Sequence, residues 1–325
     1  IEFIGGGMPS DLPNLNDLAV FLVACETKNF SQAGRQLHLS QPAISQTINN
    51  LEKHFGTKLF LRQGRSIYLT EIGQAMRPMV QELVSAARRM EETVYSLQGE
   101  VVGEFEIGCS TASGKYLLPN LIARFRRKYP LVRINVVVTS RNSVINKLIS
   151  GEVAMGISSR RIDHRELDYK DFFTDEVILV VPADHPWADY RRIYPDDLLD
   201  EPMILREESA GTLEVLKKGL LEHDISFDML KVAMGLGNAE AIEIAVEEGI
   251  GVAFISRLAA NRGLELGRIV EVEVEGMNLF RKIYLARNQR FPATRAQSEF
   301  WNFVLEPEVD LVSQIHKFTP HQVGN

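Results

Sequence analysis

The chain is poor in cysteine: only Cys25 and Cys109 occur in its 325 residues. Neither belongs to a paired spacing, which excludes a disulfide scaffold and a thiolate zinc site and suits a reducing compartment. Long apolar runs are missing as well. Nothing approaches the roughly 18 consecutive residues of a membrane span, and no basic, apolar leader opens the chain. The expectation is a cytoplasmic protein without membrane contact. Ile1–Gly7 (IEFIGGG) reads as a cloning remnant, with Met8 as the native start.

The signatures of the common enzyme classes are absent too. There is no G-x-S-x-G elbow, no G-x-x-x-x-G-K-[ST] phosphate loop and no H-E-x-x-H zinc motif. Gly249-Ile250-Gly251 precedes a strand instead of opening a helix, so it is not a dinucleotide fingerprint. The seven histidines are scattered, and His54 reads as a surface or phosphate-facing residue, not a metal ligand. No catalytic residue, no metal and no cofactor are therefore expected. A stand-alone solute-binding protein is the better rival for the C-terminal part, but it would lack a DNA-binding head and carry an export signal.

What remains is 45% hydrophobic and 24% charged residues, the balance of a soluble globular protein. At about 150 residues per domain, two or three domains are expected. The formal net charge of −7 argues against nucleic acid only until it is divided along the chain. Residues 8–70 hold six basic and four acidic groups, so a modestly basic head sits on an acidic body. Such a head can hold phosphates while the body repels non-specific contact.

Within that head, Phe30–Phe55 (FSQAGRQLHLSQPAISQTINNLEKHF) reads as two helices joined by a tight turn. Ser31 can N-cap the first, where Ala33 and Leu37 lie one turn apart on one face. His38-Leu39 make the turn. Ser40 caps the second helix, and Pro42 falls in its first turn, where a missing N–H costs little. Ile44, Ile48, Leu51 and Phe55 form one apolar stripe. Pro42, Gln46, Asn49 and Lys53 point the other way, flanked by Ser45, with Gln41 at the helix start. Amide side chains suit the paired donor and acceptor of an adenine edge in the major groove, and Ser can serve several bases. On this stretch alone, an ordinary helical hairpin with a solvated polar face fits equally well. Leu15–Thr27 carries the stripe of a supporting helix. Leu59–Leu69 reads as a hairpin with Gly64 at its tip, a wing that places Arg62 and Arg65 for phosphate contact.

Phe30-Ser31-Gln32-Ala33, Leu37-His38-Leu39-Ser40-Gln41-Pro42-Ala43-Ile44-Ser45, Leu51-Glu52, Phe55-Gly56, Leu59-Phe60, Arg62 and Leu69-Thr70-Glu71-Ile72-Gly73 resemble, in order and spacing, the N-terminal domain of LysR-type transcriptional regulators. The likeness is dense from about Leu15 to Gly73, and the remainder fits the family's effector-binding domain more loosely. Gly34 stands where the family usually has Ala, which should slightly weaken its helix. Thr47 stands where Gln is common, which bears on base preference. The resemblance implies double-stranded promoter DNA as a partner. The candidate DNA-binding residues are Ser31, Arg35, Ser40, Gln41, Pro42, Ser45, Gln46, Asn49, Arg62 and Arg65.

Thr70 can cap the next helix, and Gly99 follows its end. Ile72, Met76, Met79, Leu83, Ala86, Met90, Val94 and Leu97 recur at spacings near 3.5, a coiled-coil seam, and Pro78 should kink the helix. Self-pairing is the expected use of the seam, with packing on the chain's own body as the alternative. A homodimer would set two recognition helices on one face of a duplex, so the operator should be an imperfect palindrome. The resemblance implies the dimer as well, extends it to a homotetramer and adds the transcription machinery as a partner.

From Val102 strands alternate with helices. One set (Phe105–Cys109, Tyr116–Arg127, Arg133–Thr139, Ser143–Ser150, Ala154–Ser158) is followed by a second (Pro202–Leu205, Leu213–His223, Leu230–Met234, Ala239–Glu248, Gly251–Ile255). Further strands are expected at Val177–Val181, Arg268–Glu275 and Arg281–Ala286, with a closing helix at Phe291–Leu305. Two similar units suggest two lobes with a cleft between them, crossed by Val177–Val181 and Arg281–Ala286. The expected architecture is multi-domain. A winged helix-turn-helix spans 8–70, a linker and dimerisation helix 71–99, and a two-lobed α/β domain similar to periplasmic solute-binding proteins 102–306. A polar tail, 307–325, ends the chain.

Three segments place small polar groups between a strand and a helix start: Ser110–Gly114, Ser209–Thr212 and Gly237-Asn238. Exposed N–H groups and the helix dipole suit such positions to anions, although each alone is more often a plain N-cap. Converging in a cleft, they would hold a small carboxylate, sulfate or phosphate. The candidate effector-binding residues are Ser110, Thr111, Ser113, Arg160, Ser209, Thr212 and Asn238, with Ser110, Thr111 and Asn238 foremost. Met203–Arg206 and the stretch LGNAEAIEIAVEEGIGVAFISRL resemble the subgroup governing sulfur assimilation and carbon-fixation genes, which implies a sulfur or carbon metabolite. The expected function is a sequence-specific DNA-binding regulator whose C-terminal domain senses a small anion and changes oligomer geometry on the promoter.

Overall fold

The protein is described by a computed structural model covering residues 12–63, 66–110 and 112–306. Met8, Gly64, Arg65, Thr111 and the 307–325 tail lie outside the described residues. The chain divides into two compact units between Glu100 and Val101.

The first unit opens with α1 (Leu15–Thr27), capped by Asn14 and closed by Lys28 in the left-handed region. α2 (Phe30–Leu37) and α3 (Gln41–Phe55) follow, joined through His38 at φ 55°. β1 (Phe60–Gln63) and β2 (Ser66–Leu69) pair antiparallel as the wing. Phe60 seats this hairpin on the helices, its ring 5.5 Å from Phe21 and 5.7 Å from Phe30. α4 (Glu71–Leu97) is capped by Thr70, whose hydroxyl accepts from Gly73 N and donates to Lys58 O. Gly73 is required there, since a Cβ would sit 2.4 Å from the Leu59 carbonyl oxygen. Val80 and Val84 of α4 are buried in the same core as Phe21, Ile44 and Ile48. Met76 is partly buried against that core, while Ile72, Met79, Leu83, Met90, Val94 and Leu97 are exposed.

Two expectations in this unit need correction. The N-cap of α2 is Asn29, not Ser31: the Asn29 side chain accepts from Ser31 N and Gln32 N, and Phe30 becomes the first helical residue because its ring is buried. Phe55 ends the apolar stripe of α3 but lies exposed, edge-on to His54, because the helix there runs past the core.

The second unit begins with three parallel strands, β3 (Gly103–Cys109), β4 (Val132–Val138) and β5 (Met155–Ser158), in the order β4-β3-β5. A π turn over Ser113–Leu117 leads into α5 (Leu118–Lys128), and α6 (Arg141–Ser150) joins β4 to β5. β6 (Leu167–Pro182) comes next, then α7 (Pro186–Tyr190), β7 (Arg192–Ile193), β8 (Pro202–Arg206), α8 (Gly211–Glu222), β9 (Lys231–Leu236) and α9 (Ala239–Glu247). β10 (Val252–Ser256), α10 (Arg257–Glu265), β11 (Ile269–Val274), β12 (Phe280–Asn288) and α11 (Arg295–Leu305) complete it.

The hinge between the lobes is β6. Its Leu167–Glu176 half pairs antiparallel with β12, and β12 pairs with β5 of the first lobe. Its Val177–Pro182 half pairs with β10 and β11, and β8 and β9 extend that second, parallel set. The first lobe is cored by Phe105, Phe125, Phe300 and Trp301. In the second, residues of both sheet faces are buried, Leu179 and Leu205 on one side and Ile178 and Ile255 on the other, as expected of a sheet covered by helices.

Here the chain departs from the expected elements in several places. β6 runs for 16 residues, far beyond Val177–Val181; its first half (LDYKDFFTDE) is charged and half-exposed, and the alternation begun by Leu167 and Tyr169 breaks at Asp171. The helix after β3 starts before Tyr116 through the π turn, because Gly114 lets it close on the sheet: a Cβ would lie 2.6 Å from Cys109 Sγ. α7, β7 and α10 were not expected, being short or polar. The closing helix starts at Arg295, where Thr294 and Gln297 form a reciprocal capping box; Phe291 stays outside it, its ring close to Gly151.

Candidate nucleic-acid interface and effector cleft

Ser40 holds the start of α3 by accepting from Ala43 N, which leaves Gln41 and Pro42 exposed on the first turn. Gln46 and Lys53 are exposed on the same side, and Ser45 and Asn49 are half-exposed. Gln46 donates to Asn50 one turn on at 2.9 Å, which orders the amide row along the helix. Arg62 reaches across from the wing, donates to Ser45 Oγ at 2.9 Å and lies over the Phe30 ring. The wing arginine and the helix therefore form one polar surface. Arg35 is exposed on α2, as is Ser31.

A buried carboxylate holds this surface in register. Glu52, on the inner side of α3, accepts from Leu59 N at 3.0 Å and Phe60 N at 3.3 Å and pairs with Lys58 at 2.6 Å. It pins the first strand of the wing to the recognition helix. Nothing in the local sequence pattern marks it, since a Glu near a helix end reads as a surface residue. Gly34 has an equally tertiary reason: a Cβ there would stand 2.6 Å from Leu39 O, so the turn closes tightly because the side chain is absent.

In the second unit, strands β3, β4, β5, β8 and β9 deliver their C-terminal ends to one region, the usual place for ligands in open α/β sheets. The starts of the π turn, α6, α8 and α9 follow these ends. Contacts join them across the lobes in two groups. In one, Lys115 Nζ lies 2.9 Å from Glu240 Oε1, and Tyr116 Oη donates to the same oxygen at 2.8 Å. In the other, Arg141 at the start of α6 pairs with Glu214 on α8. Arg160 donates to Asn142 beside it, and its backbone N–H donates to Ser158 Oγ at 3.0 Å.

The expected effector residues distribute between these groups. Ser113 is buried in the π turn next to Lys115, and Ser110 is half-exposed just before it. Asn238 caps α9 two residues before Glu240, accepting from Glu240 N and Ala241 N. Thr212 is buried at the start of α8, where its hydroxyl accepts from Arg281 Nη1 at 3.0 Å. Ser209 is half-exposed ahead of it. Gly211 lets α8 approach β5 closely, since a Cβ would be 2.5 Å from Ser159 Oγ. Arg160 is exposed. Beneath them, Asp175 on β6 is buried, accepting from Ser256 Oγ at 2.7 Å and pairing with Arg281 at 2.6 Å. The sequence reading missed Lys115, Tyr116, Arg141, Glu214, Glu240, Asp175 and Arg281, whose partners lie far off along the chain.

The electrostatics follow from these contacts. Burial works to raise the Glu240 carboxyl, but hydrogen bonds from Lys115 and Tyr116 outweigh it and hold the group below its ordinary value, ionised at neutral pH. Burial, then the bond to Glu240, pushes the Tyr116 phenol above its ordinary value, so it remains a donor. Cys25 and Cys109 are both buried, and burial pushes the Cys109 thiol up to about 12, which leaves it protonated and unreactive. No described helix is long and apolar enough to cross a membrane.

Residues 15–74 match the bacterial regulatory helix-turn-helix protein family of the lysR type, and residues 98–307 match the LysR substrate binding domain. The RuBisCO operon transcriptional regulator of Allochromatium vinosum is 30% identical over 295 residues, spanning 90% of this chain and 95% of its own length. Full-length CbnR, a LysR family regulator solved with its target DNA, superposes with a TM-score of 0.63 at 19% identity, covering 90% of this chain and 99% of CbnR. The regulatory domain of Synechocystis PCC6803 CcmR, solved in complex with 2-PG, superposes with a TM-score of 0.57 at 23% identity, covering 62% of this chain and 96% of that domain. The sequence matches agree with the fold, the polar recognition surface and the two-lobed cleft: this chain belongs to the LysR family of DNA-binding transcriptional regulators, a family of regulators and not of enzymes, with a helix-turn-helix head and an effector-binding domain.

Proposed function

We propose that the protein is a cytoplasmic regulator that reads a palindromic promoter site as a homo-oligomer and answers to a small anionic metabolite. Gln41, Ser45, Gln46 and Asn49 read base edges, while Ser31, Arg35, Ser40, Pro42 and Arg62 position the head on the phosphate backbone, with Arg65 kept as a further phosphate contact on the sequence alone. The exposed apolar face of α4, from Ile72 to Leu97, pairs with a second copy. Ligand closure of the lobes changes how subunits sit, and so the spacing of the heads and the DNA bend, which requires the effector to prefer one assembly state.

The observation that carries the anionic reading is the gathering of helix starts with Lys115, Arg141 and Arg160 at the strand ends of one cleft. Ser110, Ser113, Ser209 and Asn238 supply hydroxyl and amide groups around it, Thr212 stands behind them with its oxygen accepting from Arg281, and Thr111 is kept as a contact on the sequence alone. The resemblance to regulators of carbon-fixation genes favours a metabolite of carbon metabolism, and the 2-PG bound by the CcmR domain is a fitting first probe.

A melting-temperature screen of the full-length protein against sulfate, phosphate, 2-PG and sugar phosphates tests this. A ligand at about 100 times its dissociation constant adds about 2.7 kcal/mol of stability. A selective shift, lost in Thr111→Ala or Ser110→Ala, is the expected outcome. The absence of any shift would sink the anionic effector. A DNA footprint and bend unchanged at every ligand concentration would sink the change in oligomer geometry.

A further inference from the structure

Two of the three cations of the cleft, Lys115 and Arg141, are already occupied by carboxylates of the opposite lobe, while Arg160 donates to Asn142 beside it. Lys115 and Tyr116 belong to the turn after β3, in the first lobe, and both spend their hydrogen bonds on Glu240 Oε1, on α9 of the second lobe. Arg141, again of the first lobe, is held by Glu214 of the second. The geometry of the first bridge is uneven. One carboxylate oxygen takes both donors, while Glu240 Oε2 is buried without a hydrogen-bond partner. Arg141 Nε is buried and unpartnered in the same way. A buried ionic group left half-satisfied loses much of what its bond contributes, so such a bridge is easily exchanged for a better-fitting one.

Glu240 also stands in the first turn of α9, where the capping Asn238 directs the backbone and where an external anion is favoured by the helix dipole. The carboxylate therefore takes both the charge partner and the electrostatic position that an entering anion would use.

We propose that Glu240 is a built-in counter-anion, which holds Lys115 and Tyr116 until an anionic effector displaces it and takes both donors, and which thereby sets how tightly the cleft binds and which anions it accepts. This rests on the anionic-effector reading above. Displacement exchanges one direct bridge between the lobes for a bridge made through the ligand. An anion with two acceptor oxygens satisfies the lysine and the phenol separately, whereas a weak, single-acceptor anion cannot outcompete the resident carboxylate. Glu240 thus acts as a specificity filter.

The test uses inorganic phosphate and sulfate, titrated by calorimetry into the full-length protein, and compares Glu240→Gln, Lys115→Met and the double substitution with the unaltered chain. Gln keeps an acceptor for the Tyr116 hydroxyl and removes the competing charge. The expected result is phosphate binding about tenfold tighter in Glu240→Gln, the equivalent of about 1.4 kcal/mol. Lys115→Met should bind at least tenfold more weakly, and the double variant should be no tighter than Lys115→Met. A cooperative unfolding transition of the regulatory unit, which carries both substitutions, retained in all forms would show that the variants are folded. Phosphate binding that needs Lys115 but is unchanged or weakened in Glu240→Gln would overturn the counter-anion while leaving the anionic effector in place. Absence of Lys115-dependent phosphate or sulfate binding in every form would overturn both.

Discussion

In the DNA-binding head, most of the groups proposed to meet DNA lie along one helix, α3, with Ser31 and Arg35 added from the adjoining α2 and Arg62 from the wing. In the regulatory unit, the corresponding groups are collected from the ends of five strands spread over more than a hundred residues; Tyr116 and Glu240 are 124 positions apart. The head forms its surface from neighbouring elements, capped helices and a wing pinned by Glu52, and its polar side chains are open to a rigid, repetitive partner. The cleft exists only once two lobes have folded and β6 and β12 have crossed between them. Two of its cations, Lys115 and Arg141, meet carboxylates before they meet any ligand. A surface built on neighbouring elements suits constant reading of one structure, and a site shared by two lobes suits a response, because a ligand that replaced the bridging carboxylates would alter how the lobes are held.

Both regions depend on a buried carboxylate, and substitutions there separate the two most sharply. Asp175→Ala leaves Arg281 buried without its partner beneath the cleft and is expected to cost about 4 kcal/mol in the regulatory unit. Denaturant unfolding followed by a probe in that unit checks it. The paired change Asp175→Leu with Arg281→Met should recover most of the loss, and equal damage from the single and double variants would show that packing, not charge, is at stake. Glu52→Ala comes next, at about 3 kcal/mol in the head, because it orphans the Leu59 and Phe60 amides. Differential scanning calorimetry should show the transition of the head move while the regulatory transition stays in place. A joint shift would mean that the two units do not unfold independently.

Smaller effects probe the recognition surface itself. Gln41→Ala and Asn49→Ala should each relax base discrimination by about 2 kcal/mol, measured by competition between matched and mismatched operators, with little change in salt dependence. Arg62→Ala should instead weaken binding to all sequences. Gly34→Ala is expected to destabilise the head by about 1–2 kcal/mol, since the gain in helix propensity only partly offsets moving the backbone of the turn away from the new Cβ at Leu39 O. A rise in melting temperature by several degrees would show that the turn yields freely.

Much of the head was legible in the linear chain. The bounds of α1, the Ser40 cap, Pro42 in the first turn and the inward face of Ile44, Ile48 and Leu51 follow from side-chain periodicity and capping, which act over about four residues. The α2 cap was misread because Asn29 and Ser31 are both competent, and burial of Phe30 decides between them. In the regulatory unit the alternation of strands and helices was readable, but the first half of β6 was not, since its acidic residues are matched by Arg281, Lys282 and Arg287 of β12, Ser256 of β10 and Arg257 of α10, all far along the chain. The positions after β3, β8 and β9 could be named as helix starts. Whether a given hydroxyl there would face the cleft or be held by a neighbour, as Thr212 is by Arg281, depends on residues far along the chain.

The amino-acid sequence by itself determined the family, the helix-turn-helix with its caps, the apolar seam of α4 and the two α/β sets, because each rests on interactions between near neighbours or on a repeating apolar face. Only the tertiary structure decided that Glu52 locks the wing, that Gly34 and Gly73 are needed for close backbone approach, and that Lys115 and Arg141 are held by carboxylates of the opposite lobe. These depend on the pairing of charges and on contact distances between distant segments. A one-dimensional pattern of polarity carries no record of which charge will meet which.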